Sequence, residues 1–420
     1  MKFKDVRKKG FKSFKPVNEV KKTLSSHLSV MPKEKVNTVD GLRRILAEDV
    51  KSKVDIPHFS RSAMDGYAVK AKDTFGASLR NPKRLKIVDK IKINEVSETI
   101  VGDKEAIEIP TGAPIPPGAN AVIKLEDVKR ENEYIEIYFP LAPFKNVAKK
   151  GEDVKEGEII LKKGRTIRPQ EIALLLASNK LRITVYKKPT VAIITTGSEL
   201  VKIGQNPQVG QIIETNSYTI ASACEIYGAK PIRLNIVKDD EESLSKSLEE
   251  SLNYDIIVFT GGSSVGEHDL IPYVINKRKD SKMLVHGIAM RPGSPTAIFM
   301  VKNKPIFCLP GFPVATMMSF ETFVIYTIRK MMEATELDPR PRVKAILNRQ
   351  IPSRFGRRDY VRVKIIYNSE EKTYYAEPIR STGSGIISSM VKADGVMEIP
   401  EDLEGYEKNS RITVKLYLPR

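Results

Sequence analysis

Two features that shape many chains are scarce in this one: cysteine and long apolar runs. Its two cysteines, Cys224 and Cys308, lie far apart and have no CxxC or CxxH neighbour, which argues against a disulfide framework and a zinc site. No apolar run reaches the roughly 18–20 residues of a membrane-spanning helix, and no signal peptide is recognisable. We therefore expect a cytoplasmic protein with no membrane partner and with both thiols in its cores.

The net charge of +18 raises the question of nucleic-acid binding, because clustered Lys and Arg displace counterions from phosphate backbones. Residues 1–35 alone contain eleven basic residues against three acidic ones. A charge excess concentrated in one stretch is typical of a solvated helix face or tail, which argues against a nucleic-acid surface. A general positive field would still attract small oxyanions.

The chain is long enough for several domains, each with its own core. Helical patterns over 17–30 and 40–48 come first, and short alternating segments from 85 to 139 predict a small inserted β domain. From 189 to 332, apolar strands alternate with helices, which predicts a doubly wound α/β domain. Short strands follow and predict a β-barrel-like C-terminal domain, so the fold class is α/β plus all-β domains in an elongated chain. The predicted boundaries are 1–55 with 141–187 for a discontinuous frame, 56–140 for the insert, 188–335 for the α/β domain and 336–420 for the C-terminal domain.

Three loops in the α/β domain follow strands, where open α/β sheets bind ligands. They are TTGSEL at 195–200, TGGSSVGEHD at 260–269 and LPGFPVA at 309–315. A glycine after a strand is commonly plain turn chemistry, but three such loops, the last leading into a helix, predict backbone donors for a phosphate ester. Two carboxylates beside a phosphate would repel it unless a divalent cation bridged them. Glu199 and Asp269 are therefore candidate ligands for Mg²⁺.

Two common phosphate-binding motifs are absent from these loops. The chain has no GxxxxGK[ST], and no GxGxxG opens the α/β domain, which argues against a P-loop triphosphatase and a Rossmann dinucleotide site. The expected ligand is some other phosphate ester.

Further motifs lie outside these loops: SRSAMDGYAV at 60–69, TGAPIPPGAN at 111–120, GEDV at 151–154, RPGSP at 291–295 and GSGIISSM at 383–390. With the three loops they give the chain a resemblance to the molybdopterin molybdenumtransferases over nearly its whole length. The resemblance implies a homodimer in which the α/β domain of one subunit and the β domains of the other enclose the active site. It also implies a reaction in which molybdate or tungstate is inserted into adenylylated molybdopterin, with release of AMP and assistance from Mg²⁺.

The same resemblance implies roles for three carboxylates. Asp65 matches the aspartate of the family's DGYA motif, Glu199 the glutamate of TGxE, and Asp269 the aspartate that closes the second loop. These three are the expected catalytic residues, and Thr111 at the head of TGAP is a weaker match. Without the resemblance, Asp65 would be interpreted as a loop cap beside a glycine.

Cations for the oxyanion are implied in the same way. Arg291 matches the first cation of the family's KPGxP loop, and Arg357 or Arg358 matches an arginine of the C-terminal domain. A guanidinium suits a tetrahedral oxyanion because it donates two hydrogen bonds in a fixed fork. The remaining candidates for substrate binding are Gly197, Ser198, Gly261, Gly262, Ser263, Ser264, Gly293, Pro310, Gly311 and Ser384.

The chain departs from the family pattern at four positions. Ser294 replaces a second lysine of the KPGKP loop, Phe312 and Ala315 replace residues of the common LPGNPVS loop, and Ala148 stands at a usually basic position. We expect these changes to alter oxyanion affinity and metal choice more than the class of reaction.

Two other functions remain open from the sequence. The α/β domain alone resembles the molybdopterin adenylyltransferase, which charges molybdopterin with AMP and is also a candidate binding partner. A non-catalytic scaffold is the second alternative. The intact carboxylates argue against scaffolding, and the extra β domains argue against the adenylyltransferase.

Overall fold

The computed structural model describes residues 14–261, 270–380 and 383–417. Its first part comprises a frame and an inserted sheet. The elements of this part are α1 (Val17–Ser25), β1 (Lys33–Asn37), β2 (Val50–Lys51), β3 (Arg61–Ser62), β4 (Gly66–Val69), β5 (Lys83–Lys90), β6 (Glu105–Ile109), β7 (Ala121–Lys124), β8 (Val128–Glu131), β9 (Tyr134–Ile137), β10 (Val147–Ala148), β11 (Ile159–Leu161), α2 (Pro169–Ala177) and β12 (Arg182–Tyr186).

The inserted sheet has six strands in the order β7-β4-β6-β5-β9-β8. The side chains of successive residues in β4 are buried on opposite faces of the sheet, since Tyr67 and Val69 belong to one apolar cluster and Ala68 to another. Both faces of the sheet are therefore covered, and the predicted small β domain is confirmed. The frame is held by the antiparallel pairs β1–β12 and β2–β11.

The predicted helix over 40–48 is wrong. Arg43 has a φ of 62°, which lies outside the α-helical region. The two apolar residues that suggested a helical face instead make single bridges, Ile45 with Thr166 and Leu46 with Val185. Pairing with distant segments therefore overrides the local pattern.

The α/β part contains most of the helices. Its elements are β13 (Thr190–Thr196), β14 (Leu200–Val201), β15 (Ile212–Ile213), α3 (Asn216–Ile226), β16 (Lys230–Val237), α4 (Glu241–Ser251), β17 (Ile256–Thr260), α5 (Leu270–Lys277), β18 (Ser281–His286), β19 (Met290–Arg291), β20 (Ala297–Val301), β21 (Lys304–Leu309), α6 (Pro313–Ser319) and α7 (Ile325–Met331), with a π-helical turn at Phe320–Val324 between the last two.

The main sheet of this part has the order β16-β13-β17-β21-β20-β18. The first four strands are parallel, β20 is antiparallel to β21, and β18 is antiparallel to β20. Helices α3, α6 and α7 pack on one face, while α4 and α5 pack on the other. This arrangement confirms the doubly wound fold, and it brings the carboxyl ends of β13, β17 and β21 side by side.

The C-terminal part is a small barrel. Its elements are β22 (Arg342–Leu347), β23 (Ile351–Pro352), β24 (Arg358–Asn368), β25 (Thr373–Arg380), α8 (Ser388–Val391), β26 (Gly395–Ile399), β27 (Gly405–Tyr406) and β28 (Arg411–Leu416). The strands β24-β25-β22-β28-β26 close on themselves through the β24–β26 pairing. The predicted barrel-like domain is confirmed.

Two expectations from the sequence concern the cysteines and membrane-spanning helices. Cys224 and Cys308 are both buried, as predicted. None of the helices in the described ranges is long and apolar enough to cross a membrane.

Candidate functional site

A cleft of about 1060 Å³ opens where the carboxyl ends of β13, β17 and β21 meet a segment of the C-terminal part. The three loops predicted to bind a phosphate ester follow these strands, and described residues of all three line the cleft. The remaining walls come from residues between 207 and 216, from the RPGSP loop, from β24 and from the stretch around Ser384. Concave sites of this volume at the strand ends of an α/β sheet are typical ligand sites.

Two arginines, Arg291 and Arg362, line this cleft together. Their proximity follows from the fold, because β19 pairs in parallel with β24 and sets Arg291 opposite Asp359. Arg362 lies further along β24 and is 3% exposed. Burial lowers its pKa, and the positive charge of Arg291 lowers it further, while Tyr417 has the opposite effect. The sequence analysis did not identify Arg362, although a cation within the apolar run of β24 was a usable signal.

The RPGSP loop is held by contacts that require a glycine. Gly293 has a φ of +112°, and a Cβ atom there would lie 2.4 Å from the Ser319 hydroxyl. That hydroxyl is hydrogen bonded to Thr296 at 2.8 Å, and the Thr296 hydroxyl donates to the Gly293 carbonyl at 2.7 Å. Any other residue at 293 would be strained and would displace this contact. The contacts of Ser319 and Thr296 therefore hold the backbone of the loop that carries Arg291 in one position.

The cleft floor is tied together by Asn216. Its side-chain amide donates to the Thr260 hydroxyl at 3.1 Å and to the Gly311 carbonyl at 2.8 Å, so it links the ends of two strands. Beside it, the buried Glu214 accepts hydrogen bonds from the Ser217 amide and hydroxyl, both at 2.7 Å. Neither Asn216 nor Glu214 was predicted, because their role depends on contacts between loops that are distant in sequence.

One polar group of the cleft has no protein partner. The side chain of Thr196 is 1% exposed and lines the cleft, yet its hydroxyl makes no hydrogen bond to any residue in the described ranges. A buried hydroxyl without a partner costs free energy. A bound ligand would remove that cost.

Glu199 is the carboxylate that the first loop brings to the cleft. It is exposed, and it adjoins Gly197, whose φ of +154° favours a glycine at that position. Among the described residues, no group of three His, Cys, Asp or Glu could form a complete metal site. One carboxylate that faces the cleft nevertheless suits Mg²⁺, which commonly uses one or two carboxylates together with substrate phosphates.

Asp65 lies in the loop immediately before β4 of the inserted sheet and does not line the cleft. Its carboxylate accepts hydrogen bonds from the Thr111 amide at 2.7 Å and from the Thr111 hydroxyl at 3.0 Å. These bonds, the backbone one first, lower the pKa of Asp65. The two motifs that predicted Asp65 and Thr111 therefore come together, but at a surface separate from the two arginines.

The other predicted residues fall into four sets, according to whether and where the structure places them relative to the cleft. Arg357 pairs with Asp359 at 2.9 Å and Arg358 with Glu401 at 2.9 Å, and neither lines the cleft. Gly197 and Ser198 adjoin Glu199 without lining the cleft themselves. Those that line the cleft are Gly261, Arg291, Gly293, Pro310, Gly311 and Ser384. Those outside the described residues are Gly262, Ser263, Ser264 and Asp269.

The start of α6 is less open to an anion than the sequence suggested. Pro313 has no N–H, and the Val314 N–H donates to the Ser384 carbonyl at 3.0 Å. The contact joins the third loop to the C-terminal segment. Part of this helix end is therefore satisfied by the protein itself.

A second concavity, of about 680 Å³, lies between α1, the residues after α7 and the barrel. Here the charges are balanced: Arg340 contacts Glu321 and Asp338, and Lys415 contacts Asp338 and Glu398. We assign this cluster a structural role.

Comparison with known proteins finds family matches for three successive parts of the chain. Residues 15–178 match the MoeA N-terminal region (domain I and II), residues 192–330 a probable molybdopterin binding domain, and residues 344–417 the MoeA C-terminal region (domain IV). A protein of Methanocaldococcus jannaschii named for molybdopterin biosynthesis is 38% identical over 405 residues, which cover 94% of each chain.

Two further relatives extend the comparison. The molybdopterin molybdenumtransferase of Staphylococcus aureus strain COL is 33% identical over 402 residues, which cover 96% of this chain and 95% of that one. The crystal structure of the molybdopterin biosynthesis moeA protein from Pyrococcus horikoshii OT3 is 35% identical, covers 96% of this chain and 100% of its own, and superposes with a TM-score of 0.85. The resemblance inferred from the motifs is confirmed, and the chain belongs to the molybdopterin molybdenumtransferase (MoeA) family.

Proposed function

We propose that this chain inserts molybdate or tungstate into adenylylated molybdopterin and releases AMP, as a transferase of molybdenum-cofactor biosynthesis in the cytoplasm. The observation that carries the proposal is the cleft, in which Arg291, Arg362 and Glu199 face one space. The molybdopterin adenylyltransferase, whose reaction makes the substrate, is the proposed partner. We also propose that the chain has the four domains whose boundaries were predicted from the sequence.

The oxyanion would be held by Arg291 and Arg362. Both arginines line the same cleft, and the charge of Arg291 contributes to lowering the pKa of Arg362. A dianion bound between them would offset this repulsion. Each could donate two hydrogen bonds to a tetrahedral oxyanion. Arg362 takes the role that the sequence analysis gave to Arg357 or Arg358, because Arg362 lines the cleft and those two residues do not.

The adenylate end would lie near Glu199. When bound, Mg²⁺ would neutralise charge on the phosphate oxygens as the anhydride is hydrolysed. Glu199 would hold it, and Asp269 remains a proposed second ligand. The Thr196 hydroxyl, which lacks a protein partner in the described ranges, is a suitable donor to the same substrate.

We also propose that the active site is completed by a second copy of the chain. Asp65 is fixed by Thr111 on a surface away from the cleft. Phe59, Met64 and Leu125 are 45%, 40% and 45% exposed, and they are close to Asp65 in sequence or through the hydrogen bond from the Leu125 amide to the Asp65 carbonyl. An apolar surface around an oriented carboxylate suits a subunit interface. In the homodimer, Asp65 of one subunit would face the cleft of the other.

Incubation of the purified protein with adenylylated molybdopterin, molybdate and Mg²⁺ tests the function. We expect AMP release together with molybdenum in the pterin. Formation of adenylate from ATP and free molybdopterin would favour the adenylyltransferase instead. Pterin binding without either reaction would favour a scaffold.

A further inference from the structure

The rim of the cleft has a cluster of exposed apolar side chains. Phe312 is 63% exposed, Ile212 60%, Ile387 47% and Ile213 37%, and all four line the cleft. They come from three segments that are far apart in sequence. Scattered exposed apolar residues need no explanation, but several that converge on one concave site indicate ligand contact.

Phe312 is held in place without being covered. Its backbone precedes Pro313 and has a φ of −68° and a ψ of 124°, the extended conformation that a following proline favours. The ring lies against Gly385, where an added Cβ atom would be 3.4 Å from its Cδ1 and 3.7 Å from its Cε1. The hydrogen bond from the Val314 amide to the Ser384 carbonyl joins the same two segments. The ring is therefore supported by backbone and still open to the cleft.

The same cleft contains the cations that an attached anionic group would need. Arg291 and Arg362 lie in its wall, so a ligand that combines a flat apolar surface with a phosphate or oxyanion would match both features. A supported, exposed aromatic ring suits a planar heterocycle because every such ring has a π face that can stack.

We propose that Phe312 is a stacking platform for a planar heterocycle of the substrate and so determines substrate affinity. The proposal rests on the proposed function, because adenylylated molybdopterin has two such rings, a pterin and an adenine. Stacking is the chemistry that they share. The choice between them is made by experiment.

Calorimetry of the full-length protein with three probes tests the platform. AMP contains the adenine ring, neopterin contains a pterin ring, and ribose 5-phosphate has no planar aromatic ring. In Phe312→Ala, binding of the probe whose ring stacks should weaken about tenfold, whereas ribose 5-phosphate should be unaffected. Phe312→Tyr should restore the affinity. Phe355→Ala is the matched control, since Phe355 is a 69% exposed aromatic that does not line the cleft.

Three results would overturn the platform. They are unchanged binding of both ring-containing probes in Phe312→Ala, an equal loss for ribose 5-phosphate, and no measurable binding of either ring-containing probe to the wild type. Light scattering covers the remaining alternative, because a change of oligomeric state in Phe312→Ala would assign the ring to a protein interface instead.

Metal insertion by the wild type separates this proposal from the proposed function. Ring-specific loss in Phe312→Ala, in a protein that inserts no metal, would keep the platform and reject the molybdenum reaction. Unchanged kcat/KM for insertion in Phe312→Ala would keep the reaction and reject the platform.

Discussion

The cleft and the Asp65 surface contrast in how each presents its charged groups. The cleft is concave and contains Arg291 and Arg362, and its loops come from distant parts of the chain. The Asp65 carboxylate is exposed in the loop immediately before β4 of the inserted sheet and is oriented by a single residue, Thr111. The cleft can enclose a substrate, whereas the Asp65 surface can only complete a site formed elsewhere.

This difference bears on how the family's motifs are assembled into one site. All of them are typical of one family, and the resemblance implies that their residues meet across two subunits. In the described residues, Arg291 and Arg362 line the cleft and Asp65 does not. A site assembled from two copies would account for that separation without any movement within a subunit.

The largest expected effect is on turnover. Glu199→Gln and Asp65→Ala should each reduce AMP release by roughly 100- to 10,000-fold, because each removes a charged group from the reacting centre. Glu242→Gln, on an exposed part of α4, is the matched control and should retain activity. Full activity of Asp65→Ala would mean that Asp65 is not part of the active site.

A second prediction uses the balanced ion cluster as a reference for structural damage. Arg340 is 5% exposed at its side chain and contacts Glu321 and Asp338. Arg340→Met should destabilise the protein by about 3–5 kcal/mol, since it removes the ion-pair partner of the buried Glu321 carboxylate. Arg342→Ala, exposed in the same concavity, should change stability by less than about 0.5 kcal/mol. Equal melting temperatures of the two variants would contradict the structural role.

The third prediction compares two arginines that share Asp359. Arg291 contacts it at 3.6 Å and Arg357 at 2.9 Å, but only Arg291 lines the cleft. Arg291→Ala should weaken molybdate or tungstate binding about tenfold to a hundredfold, the loss of a charge-assisted contact. Calorimetry should find Arg357→Ala within about twofold of the wild type. Equal losses in both variants would reject the oxyanion role of Arg291.

The smallest expected effect concerns pH. Hydrogen bonds from Thr111 hold the pKa of Asp65 below its usual value, so Asp65 stays ionised until the pH falls below the ordinary carboxyl range. Thr111→Val removes the hydroxyl bond and keeps the backbone one. The acid limb of kcat/KM should therefore move to higher pH in this variant. A shift to lower pH would contradict the assignment.

Much of the fold could be predicted from the sequence. The alternation of β-branched strands and helices from 189 to 332 identified the doubly wound sheet, because both faces of a parallel sheet are buried and its strands are continuously apolar. The segment 40–48 was misassigned as helix. Its apolar spacing fits a helical face, but its backbone follows long-range bridges and a positive φ at Arg43.

The site was less predictable than the fold. Loops after strands indicated where a ligand binds, and Glu199, Arg291 and Ser384 do line the cleft. The resemblance assigns the second cation to Arg357 or Arg358, because one of them matches an arginine of the family's C-terminal domain. The structure brings Arg362 to the cleft instead, since parallel pairing of β19 with β24 sets which part of β24 faces Arg291. The register between two segments that are distant in sequence is difficult to predict from the residues of either segment alone.

Subunit mixing tests most directly the central claim that one active site is formed from two copies of the chain. Inactive Asp65→Ala and inactive Glu199→Gln proteins are mixed, subunit exchange is verified by mass, and AMP release is measured. A heterodimer would contain one site with both defects and one with neither, so a random mixture should recover roughly a quarter of wild-type activity. No recovery after verified exchange would contradict the account, because it would mean that Asp65 and Glu199 act within the same chain.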